Sequence, residues 1–497
     1  MIKKRGAFSR CLLPKKVDIP VLVAVLTAII LFTILNYVPQ AKEVGLSTFS
    51  NPGEETFSKR IISERLIAQV DPSSLWNSLR VSSDNKRFAY ITKVGDKCFA
   101  VVDGKEGNQY DTITDFIFSP DSRRFAYVAQ LGVKHFVVLD GKELKQHVGS
   151  STPIFSPDGK RFAYIAIQLG DKFSVVVDGK EERQYDTIHS PIFSPNSKRF
   201  AYVARLGNKW FVVVDGRQRE QYEDIGKGSL VFSPDSKRLA YAAWGYKWFV
   251  VLDAEKGKPY DLVIGPTFSP DSNRLAYRAE LGNKWFVVLD GKEGKLSYDT
   301  VPGLSPSSGI VPIRDLIFSP DSQRLAYTTK VGDKCLAVVD GKEGNQYDGI
   351  MIDPVFSPDS RRYTYAALVG RNFLVVVDGK EMRQYVSSTF PAFSPDSKRF
   401  AYVAAQPSGK CSVVVDGKQE NQYDDIRVPV FSPDSRRLAY VVQTNNKWFV
   451  VVDGKASKEY DNILMDWRGR IVFGSSKSLR YLARKDRNIY LVEEVFE

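Results

Sequence analysis

The chain is built from a short phrase that recurs about every 38 residues. The phrase F-S-P-D-S, followed by two polar, mostly basic residues and then F/L-A-Y, occurs at 118–127, 232–241, 318–327 and 431–440. A period of this length indicates that one supersecondary unit has been copied in tandem, and that each copy covers its apolar surface only by stacking on its neighbours. The repeat therefore constrains the fold more strongly than any single residue does.

Residues 191–228 illustrate one unit, in which the pattern predicts four short strands at 191–194, 199–204, 210–214 and 221–225. A proline turn joins the first two strands, and an Asp-Gly turn joins the last two. The third strand, W-F-V-V-V, is apolar on both alternating faces, so both faces must be buried. Four antiparallel strands with two apolar faces, repeated in tandem, predict the blades of an all-β propeller.

The phrase S-P-D-S/G, a basic residue and R-F/L-A-Y is similar to the WD-repeat-like β-propeller repeats of the TolB and prolyl oligopeptidase N-terminal type. The resemblance covers roughly residues 78–497 and implies a propeller fold, but little about function, because such propellers serve many roles. No G-x-S-x-G motif occurs and the repeats run to residue 497, so we expect no peptidase activity.

The number of repeats raises the question of how many rings they form. Anchors of the units are Val81, Phe118, Phe155, Phe193, Phe232, Phe268, Phe318, Phe356, Phe393, Phe431 and a degenerate Phe473. Propellers usually have four to eight blades. The step from Phe268 to Phe318 is 50 residues long, and residues 94–111 recur with one change at 331–348. These features favour two propellers.

The predicted domains are thus a first propeller of six blades at 78–300, a linker or loop insert at 301–313, and a second propeller of five or six blades at 314–497. A single large ring is the alternative. The last unit lacks a fourth strand, and residues 65–70 form an apolar stretch that could supply it.

An apolar segment precedes the repeats. Residues 19–38 carry no charge and are long enough to cross the hydrocarbon layer as one helix. Six basic residues stand before it, whereas acidic residues follow it, so the positive-inside rule predicts a cytoplasmic tail at 1–18, a transmembrane helix at 19–38 and an extracytoplasmic tether at 39–77. The predicted location is the cell membrane, with the propeller in the periplasm or at the cell surface. A cleaved signal peptide is the competing interpretation.

Charge and cysteines exclude several classes of function. Of the net charge of +12, residues 1–18 hold +5, and the rest is mixed in sign along the chain, so we expect no nucleic-acid partner. Cys98, Cys335 and Cys411 share a repeat column with Trp210 and are expected to pack as small apolar residues. No set of residues has metal-ligand spacing, and we predict neither a metal nor a cofactor.

Residues copied in every unit are expected to be structural. The second basic residue of the phrase, as in Arg124, has the copied Tyr-Asp carboxylate as a candidate partner. His135 and His147 occupy columns of aromatic residues and are expected to pack. Only His189 falls in a loop that leads into a first strand.

Function is therefore sought where the copies differ, just before the first strand of each unit. There we place a candidate ligand-binding rim at one mouth of the channel, formed by Asp115, His189, Lys227, Arg314, Asp315, Asp353 and Arg427. The function we predict is a membrane-anchored, TolB-like scaffold that binds a protein or peptide ligand, with envelope components among the candidates, and is not an enzyme.

Two other functions remain open. One is a propeller hydrolase or lyase acting on glycan or peptide, with Asp115, Asp315 and Asp353 as candidate acids. The other is a sensor that reports a ligand through the membrane helix, which the short tail at 1–18 disfavours.

The predicted topology can be tested by protease accessibility. A tag at the C-terminus should be digested in intact cells that lack an outer barrier, because the positive-inside bias places everything after residue 40 outside. A cytoplasmic control protein should stay intact in the same sample. A tag that remains protected would contradict the orientation.

Overall fold

The computed structural model describes residues 59–70, 78–299, 312–385, 387–388, 391–465 and 471–497, and the side chains of 115, 383–385 and 387–388 are outside the description. Every regular element in this part is a β-strand, and the strands form eleven antiparallel sheets. The protein is an eleven-bladed β-propeller, which confirms the predicted fold class and repeat type. Within the described residues no helix is long and apolar enough to cross a membrane, and the predicted helix at 19–38 lies outside them.

The strands of each blade follow one another in the chain, and a first strand interrupted by a bend is given in two parts. In blades 1 to 4 they are Arg80–Val81, Phe88–Val94, Lys97–Val102 and Lys105–Tyr110; Thr112–Phe118, Phe125–Leu131, Lys134–Leu139 and Lys142–Glu143; Gly149–Ser150 with Ile154–Phe155, Phe162–Gln168, Lys172–Val177 and Lys180–Glu181; and Thr187–Phe193, Phe200–Leu206, Lys209–Val214 and Arg217–Tyr222.

In blades 5 to 8 the strands are Asp224–Ile225 with Val231–Phe232, Leu239–Trp244, Trp248–Leu252 and Glu255–Lys256; Leu262–Phe268, Leu275–Leu281, Lys284–Leu289 and Lys292–Glu293 with Tyr298–Asp299; Ile317–Phe318, Leu325–Val331, Lys334–Val339 and Lys342–Glu343; and Gly349–Phe356, Tyr363–Val369, Asn372–Val377 and Lys380–Tyr385.

In blades 9 to 11 they are Ser387–Ser388 with Ala392–Phe393, Phe400–Ala405, Cys411–Val415 and Lys418–Tyr423; Asp425–Ile426 with Val430–Phe431, Leu438–Thr444, Lys447–Val452 and Lys455–Ala456; and Asn462–Leu464 with Val472–Ser475, Ser478–Lys485, Asn488–Phe496 and, from the N-terminal side of the chain, Arg60–Gln69.

One strand boundary differs from the prediction. Residues 224–225, which the pattern assigned to the fourth strand of blade 4, pair with Trp244 and Ala243 as the start of blade 5. The first strands are longer than predicted but irregular, and in blade 4 the register shifts between His189 and Ile192. Pro191 lies in this stretch and has no amide hydrogen to donate, so the ladder of backbone hydrogen bonds is interrupted there. The sequence pattern therefore predicted only the second half of this strand.

Apolar packing holds neighbouring blades together. The middle two strands of each blade are buried on both faces, and each cluster of buried side chains joins two blades, as where Val203 and Val212 of blade 4 pack with Tyr241 and Val251 of blade 5. Burying one such side chain contributes ~1.5–3 kcal/mol. A cluster of about ten therefore dominates the polar contacts described next.

Ten copied arginines clamp each blade to the following one. In blade 2, the Arg124 Nε donates to Asp140 at 3.0 Å within the blade, while an Nη donates to the Lys160 carbonyl at 3.0 Å in blade 3 and the guanidinium lies 5.6 Å from the Phe155 ring centre. The partner is thus the Asp of the V-V-D-G turn and not the Tyr-Asp carboxylate suggested by the sequence. The arginines that pair in this way are Arg87, Arg124, Arg161, Arg199, Arg238, Arg274, Arg324, Arg362, Arg399 and Arg437.

The same clamp crosses the position at which two rings were predicted to separate. Arg274 of blade 6 donates to the Ser322 carbonyl of blade 7 at 3.4 Å and lies 5.8 Å from the Phe318 ring centre. Trp285 of blade 6 is buried with Leu316 and Phe318 of blade 7. The predicted limits at 300 and 314 fall between these blades, but they do not interrupt the packing, so the two-ring arrangement is replaced by one series of eleven blades.

The series is closed by the N-terminal strand. Arg60–Gln69 pairs antiparallel with Asn488–Phe496 and supplies the missing fourth strand of blade 11, as the alternative single-ring prediction required. On the far side, Leu482 and Ile489 of blade 11 pack against Phe88 and Tyr90 of blade 1. Both apolar faces of blade 11 are therefore covered.

A buried carboxylate anchors this closing strand. The side chain of Glu494 has no exposed surface and accepts hydrogen bonds from the Arg60 Nε at 2.8 Å and from the Tyr481 hydroxyl at 2.6 Å. The neighbouring Glu493 points the other way and pairs with Arg480 while 39% of its side chain is exposed. Two adjacent glutamates thus differ only in burial.

We expect Glu494→Gln to destabilise the protein by about 3–5 kcal/mol, because removing one partner of a buried ion pair leaves Arg60 buried without its counter-charge. Glu493→Gln should change the free energy of unfolding by less than about 1 kcal/mol, since exposed pairs contribute little. Urea unfolding followed by tryptophan fluorescence measures both. Equal effects of the two substitutions would contradict the role of Glu494 in closure.

Candidate functional site

The first strands converge at the inner edge of the blades, where the copies differ most. Neighbouring first strands touch directly: the Gly228 amide of blade 5 donates to the Ser190 hydroxyl of blade 4 at 3.0 Å. The predicted rim residues lie along these strands. The structure divides them into one cluster and several separate positions.

Arg314, Asp315 and Asp353 come together between blades 7 and 8. An Nη of Arg314 lies 3.8 Å from an oxygen of Asp353 and donates to the Ile350 carbonyl at 3.0 Å. The Thr328 hydroxyl donates to the same Asp353 oxygen at 2.7 Å. Neither Arg314 nor Asp353 belongs to the contacts that are copied from blade to blade. Among the described residues, this arrangement therefore occurs once.

Blade 6 adds an arginine that sequence analysis missed. Arg278 stands in the second-strand column that holds Val128, Val203 and Val441 in other blades. Its side chain is only 10% exposed, an Nη lies 3.5 Å from Asp315, and another Nη donates to the Ile313 carbonyl at 3.2 Å. We call Arg278, Arg314, Asp315, Thr328 and Asp353 the inner-strand cluster.

The first strand of blade 6 is shaped around this arginine. Gly265 has a φ of +60°, and a Cβ added there would lie 2.6 Å from an Nη of Arg278. A side chain at 265 would collide with the guanidinium and strain the backbone. The Nε of Arg278 is buried without a hydrogen-bond partner, which is costly and therefore unusual in a residue that serves packing alone. The signal in the sequence was an arginine in an apolar column.

Burial raises the pKa of Asp353 above its ordinary value, against the opposing effects of the Thr328 hydrogen bond and of Arg314. Nearby Asp315 raises it further. The cluster thus holds two cations and two carboxylates at close range, with one carboxylate that ionises less readily than usual. Arg314 keeps 54% of its side chain exposed, so the cluster is open to a ligand.

The other predicted residues do not join the cluster. His189 packs against Trp210, and its Nδ1 lies 3.0 Å from the Ser190 hydroxyl; burial and Lys227 lower its pKa to about 4, so its ring is neutral at pH 7. Arg427 pairs with Asp425 at 3.2 Å and lies 5.0 Å from the Trp448 ring centre. The side chain of Asp115 is outside the described part.

The remaining predictions about packing can be checked directly. His147 is buried and its Nε2 lies 3.2 Å from the Tyr164 hydroxyl, while burial lowers its pKa, so this histidine packs as predicted. Cys98, Cys335 and Cys411 are free thiols, in agreement with the repeat column. No group of three or more potential metal ligands occurs among the residues described.

Comparison with known proteins returns matches among solved structures. No family model matches the chain, and no curated protein matches it. Solved structures that are similar include a eukaryotic initiation factor, with 15% identity, a TM-score of 0.39, and coverage of 69% of this chain and 97% of that one. TolB from Acinetobacter baumannii has 18% identity and a TM-score of 0.25, with coverage of 49% of this chain and 63% of TolB.

The propeller domain of the Trilobed protease from Pyrococcus furiosus has 13% identity and a TM-score of 0.28, with coverage of 55% of this chain and 96% of that one. The match to TolB covers 63% of the TolB chain, so this chain spans less than two thirds of the length of TolB. TolB, whose repeats this sequence was predicted to resemble, is among the matched structures, and these likenesses concern the propeller fold alone.

Two aspartates of blades 7 and 8 should respond oppositely to substitution. Burial raises the folded-state pKa of Asp353, so its ionisation opposes folding and Asp353→Asn should raise the urea midpoint at pH 7. The Lys334 ion pair and the Gly370 amide lower the pKa of Asp348, so Asp348→Asn should lower the midpoint.

Both differences from the unsubstituted protein should disappear as the pH falls and the aspartates become protonated. Protonation of Asp353 stabilises the folded state. This stabilisation is fully present below the unfolded-state pKa of Asp353 and is lost as the pH rises through its folded-state pKa. For Asp348 the stabilisation is lost as pH falls through its lowered pKa. Urea titrations between pH 3 and 7 measure this, and a lower midpoint for Asp353→Asn at pH 7 would contradict it.

Proposed function

We propose that the protein is a membrane-anchored propeller scaffold that holds a protein or peptide ligand outside the cytoplasm. The observation that carries the proposal is the inner-strand cluster, whose arginines and carboxylates depart from the copied pattern in three consecutive blades. The anchor is the apolar segment 19–38, which has the length and the flanking charges of a single-pass helix.

The chemistry of the cluster suits a peptide better than a uniformly charged ligand. Arg314 offers exposed donors to a carboxylate or a backbone carbonyl, while Asp315 and Asp353 accept hydrogen bonds from amides or ammonium groups. Cations and anions alternate within a few ångströms, so a strongly charged polymer of either sign would meet repulsion as well as attraction. A segment with both donors and acceptors meets neither penalty.

The rigid setting also favours binding. Arg278 and Thr328 lie on second strands that are largely buried, and Asp353 lies on the first strand of blade 8, so regular strands position three of the five members of the cluster. A ligand would therefore meet groups that are already in position, which reduces the entropy lost on binding.

Affinity capture tests the proposal. Full-length tagged protein, cross-linked in intact cells and purified in detergent, should yield a reproducible partner, which mass spectrometry identifies. Arg314→Ala should reduce recovery of that partner at least about tenfold, as expected for a central interface residue. Arg123→Ala is the matched control, because 85% of the Arg123 side chain is exposed on a copied turn far from the cluster in the repeat.

Equal recovery with Arg314→Ala and Arg123→Ala would refute the assignment of the site. Recovery of the full chain from the soluble fraction after alkaline washing would refute the anchor. The two results are independent, so each part of the proposal fails separately.

A hydrolase or lyase acting on glycan or peptide is the second candidate, because Asp315 and Asp353 lie close enough to interact and one has a raised pKa. Asp315 lies 3.5 Å from Arg278 and Asp353 lies 3.8 Å from Arg314, and a neighbouring arginine favours the ionised carboxylate over the protonated acid that would donate a proton. Turnover of glycan or peptide libraries that disappears in Asp353→Asn would favour this candidate over binding alone.

A further inference from the structure

The exposed apolar side chains of the protein are concentrated on one face. The turns between second and third strands, together with the connections from one blade to the next, form what we call the hairpin face. The F-S-P-D-S turns form the opposite face, the turn face. Of fourteen large apolar side chains that are exposed in the described part, ten lie on the hairpin face.

Eight of these ten form a regular series. One large apolar residue is exposed at the hairpin of each of the first eight blades, and we call the series the apolar arc: Val94, Leu131, Leu169, Leu206, Tyr246, Leu281, Val331 and Val369. Leu169 is 86% exposed, Tyr246 78% and Val94 64%, and the other five are between 37% and 41% exposed. Blades 9 to 11 carry Gln406, Thr444 and Lys485 at the corresponding positions.

Such a series differs from the scattered apolar residues of an ordinary surface. The hairpins need only a glycine and polar residues to turn, and nothing in the turn itself requires the preceding side chain to be apolar. Isolated exposed leucines are common, but an exposed large apolar residue at the same hairpin of eight successive blades indicates an interaction surface. The arc therefore has a use that the polar hairpins of blades 9 to 11 lack.

Charges next to the arc are neutralised within the chain. Lys97 pairs with Asp111 at 2.5 Å and Lys247 with Asp261 at 2.8 Å, and the lysines of six other hairpins pair in the same way. These further pairs are Lys172–Asp186, Lys209–Glu223, Lys284–Asp299, Lys334–Asp348, Lys410–Asp424 and Lys447–Asp461. The face carries alternating charges beside apolar points and has no dominant sign.

This balance decides between classes of partner. An anionic lipid surface or a nucleic acid would gain little from lysines already paired with carboxylates. A partner must instead present apolar groups at the spacing of the blades, along an arc of the same curvature, with alternating charges. A second ring with the same blades has that spacing and that charge pattern.

We propose that the hairpin face binds the hairpin face of a second copy of this chain. Two rings related by a two-fold axis would place apolar arc against apolar arc, and neither copy would bring a large net charge to the contact, because most hairpin lysines are paired within their own chain. Such an interface is isologous and closed, so it gives a dimer and not a filament.

The attachment of the N-terminal region leaves this face accessible. Arg60 pairs with Phe496 at the turn face, where an Nη of Arg60 also donates to the Lys455 carbonyl at 2.8 Å. The described chain therefore begins at the face opposite to the apolar arc. Two copies attached to the same or to facing membranes through that side keep their hairpin faces unobstructed at the point of attachment.

The test uses the full chain in a non-ionic detergent, with mass measured by light scattering after gel filtration and by sedimentation over a concentration series. The unsubstituted protein should have twice the mass of one chain, after subtraction of detergent. Leu169→Glu should raise the dissociation constant of the dimer at least about tenfold, because a buried interface position receives a charge in both copies. Leu131→Glu, Leu169→Glu and Leu206→Glu together should give monomers.

Leu66→Glu is the matched control, since Leu66 is also half-exposed but lies on the closing strand and not on the hairpin face. It should leave the mass unchanged. At protein concentrations below the dissociation constant of the dimer, the urea midpoints of all variants should equal that of the unsubstituted protein, which separates loss of contact from loss of fold.

Monomers of the unsubstituted protein at every concentration would overturn the proposal, and so would a dimer that survives the triple substitution. Vesicles of phosphatidylcholine and phosphatidylglycerol provide the remaining outcome. If the triple variant loses vesicle binding while the unsubstituted chain is monomeric, the arc binds lipid and not a second copy.

Discussion

The structure depends on the fact that each sheet has two apolar faces. Strands such as Trp210–Val214 are buried on both sides, so a blade is stable only between two others. A linear stack would always leave two unprotected faces at its ends, and a ring leaves none. Closure is thus a requirement of the sequence pattern itself, and the strand Arg60–Gln69 meets it by completing blade 11 from the other end of the chain.

Closure also explains why blade 11 is chemically different from the others. Its turn lacks the S-P-D-S phrase, and Ser478 stands in the column that holds the copied arginines in the other blades. The contact with blade 1 is apolar, through Leu464 and Leu482. The strand from the N-terminal side keeps the outer contact of the repeat, because Glu64 accepts from Tyr460 as Glu143 accepts from Tyr110 in blade 2. The ring therefore closes because a strand from the N-terminal side takes the place of the missing fourth strand of blade 11.

The blades could be predicted from sequence because their signals are local. Alternation, the proline turn and the Asp-Gly turn each lie within about ten residues, and the histidine and cysteine columns followed from alignment of the copies. The number of blades in the ring could not be predicted in this way, because it depends on small angles between blades that no single unit encodes. The insert after Asp299 and the copy of residues 94–111 at 331–348 looked like a boundary, yet Arg274 and Trp285 cross it with ordinary contacts.

The candidate site shows the same division. Arg314, Asp315 and Asp353 were found because they precede the first strands and differ between copies. Arg278 and Thr328 lie in second strands, where every other copy suggested an apolar core, and only their departure from the column could have revealed them. His189 and Arg427 were placed in the right region but pack on tryptophans of their own blades. The position in the repeat predicted the region of the candidate site, whereas the contacts between blades show which residues belong to the inner-strand cluster.

Copied and single residues therefore do different work in this protein. The copied arginine–aspartate pairs lie on the turn face, and the copied lysine–aspartate pairs lie at the Tyr-Asp connections. Each exposed ion pair contributes little to stability alone, but most blades carry a copy. Their repetition leaves individual positions free to change, because the loss of one weak contact is tolerated by a ring held mainly by apolar clusters. Blades 6 to 8 use that freedom to bury an arginine beside two partly exposed carboxylates, at a cost in stability that the neighbouring apolar clusters offset. A large closed ring can accommodate such a cluster without losing its fold, and this tolerance is what allows a copied scaffold to carry a site that is not copied.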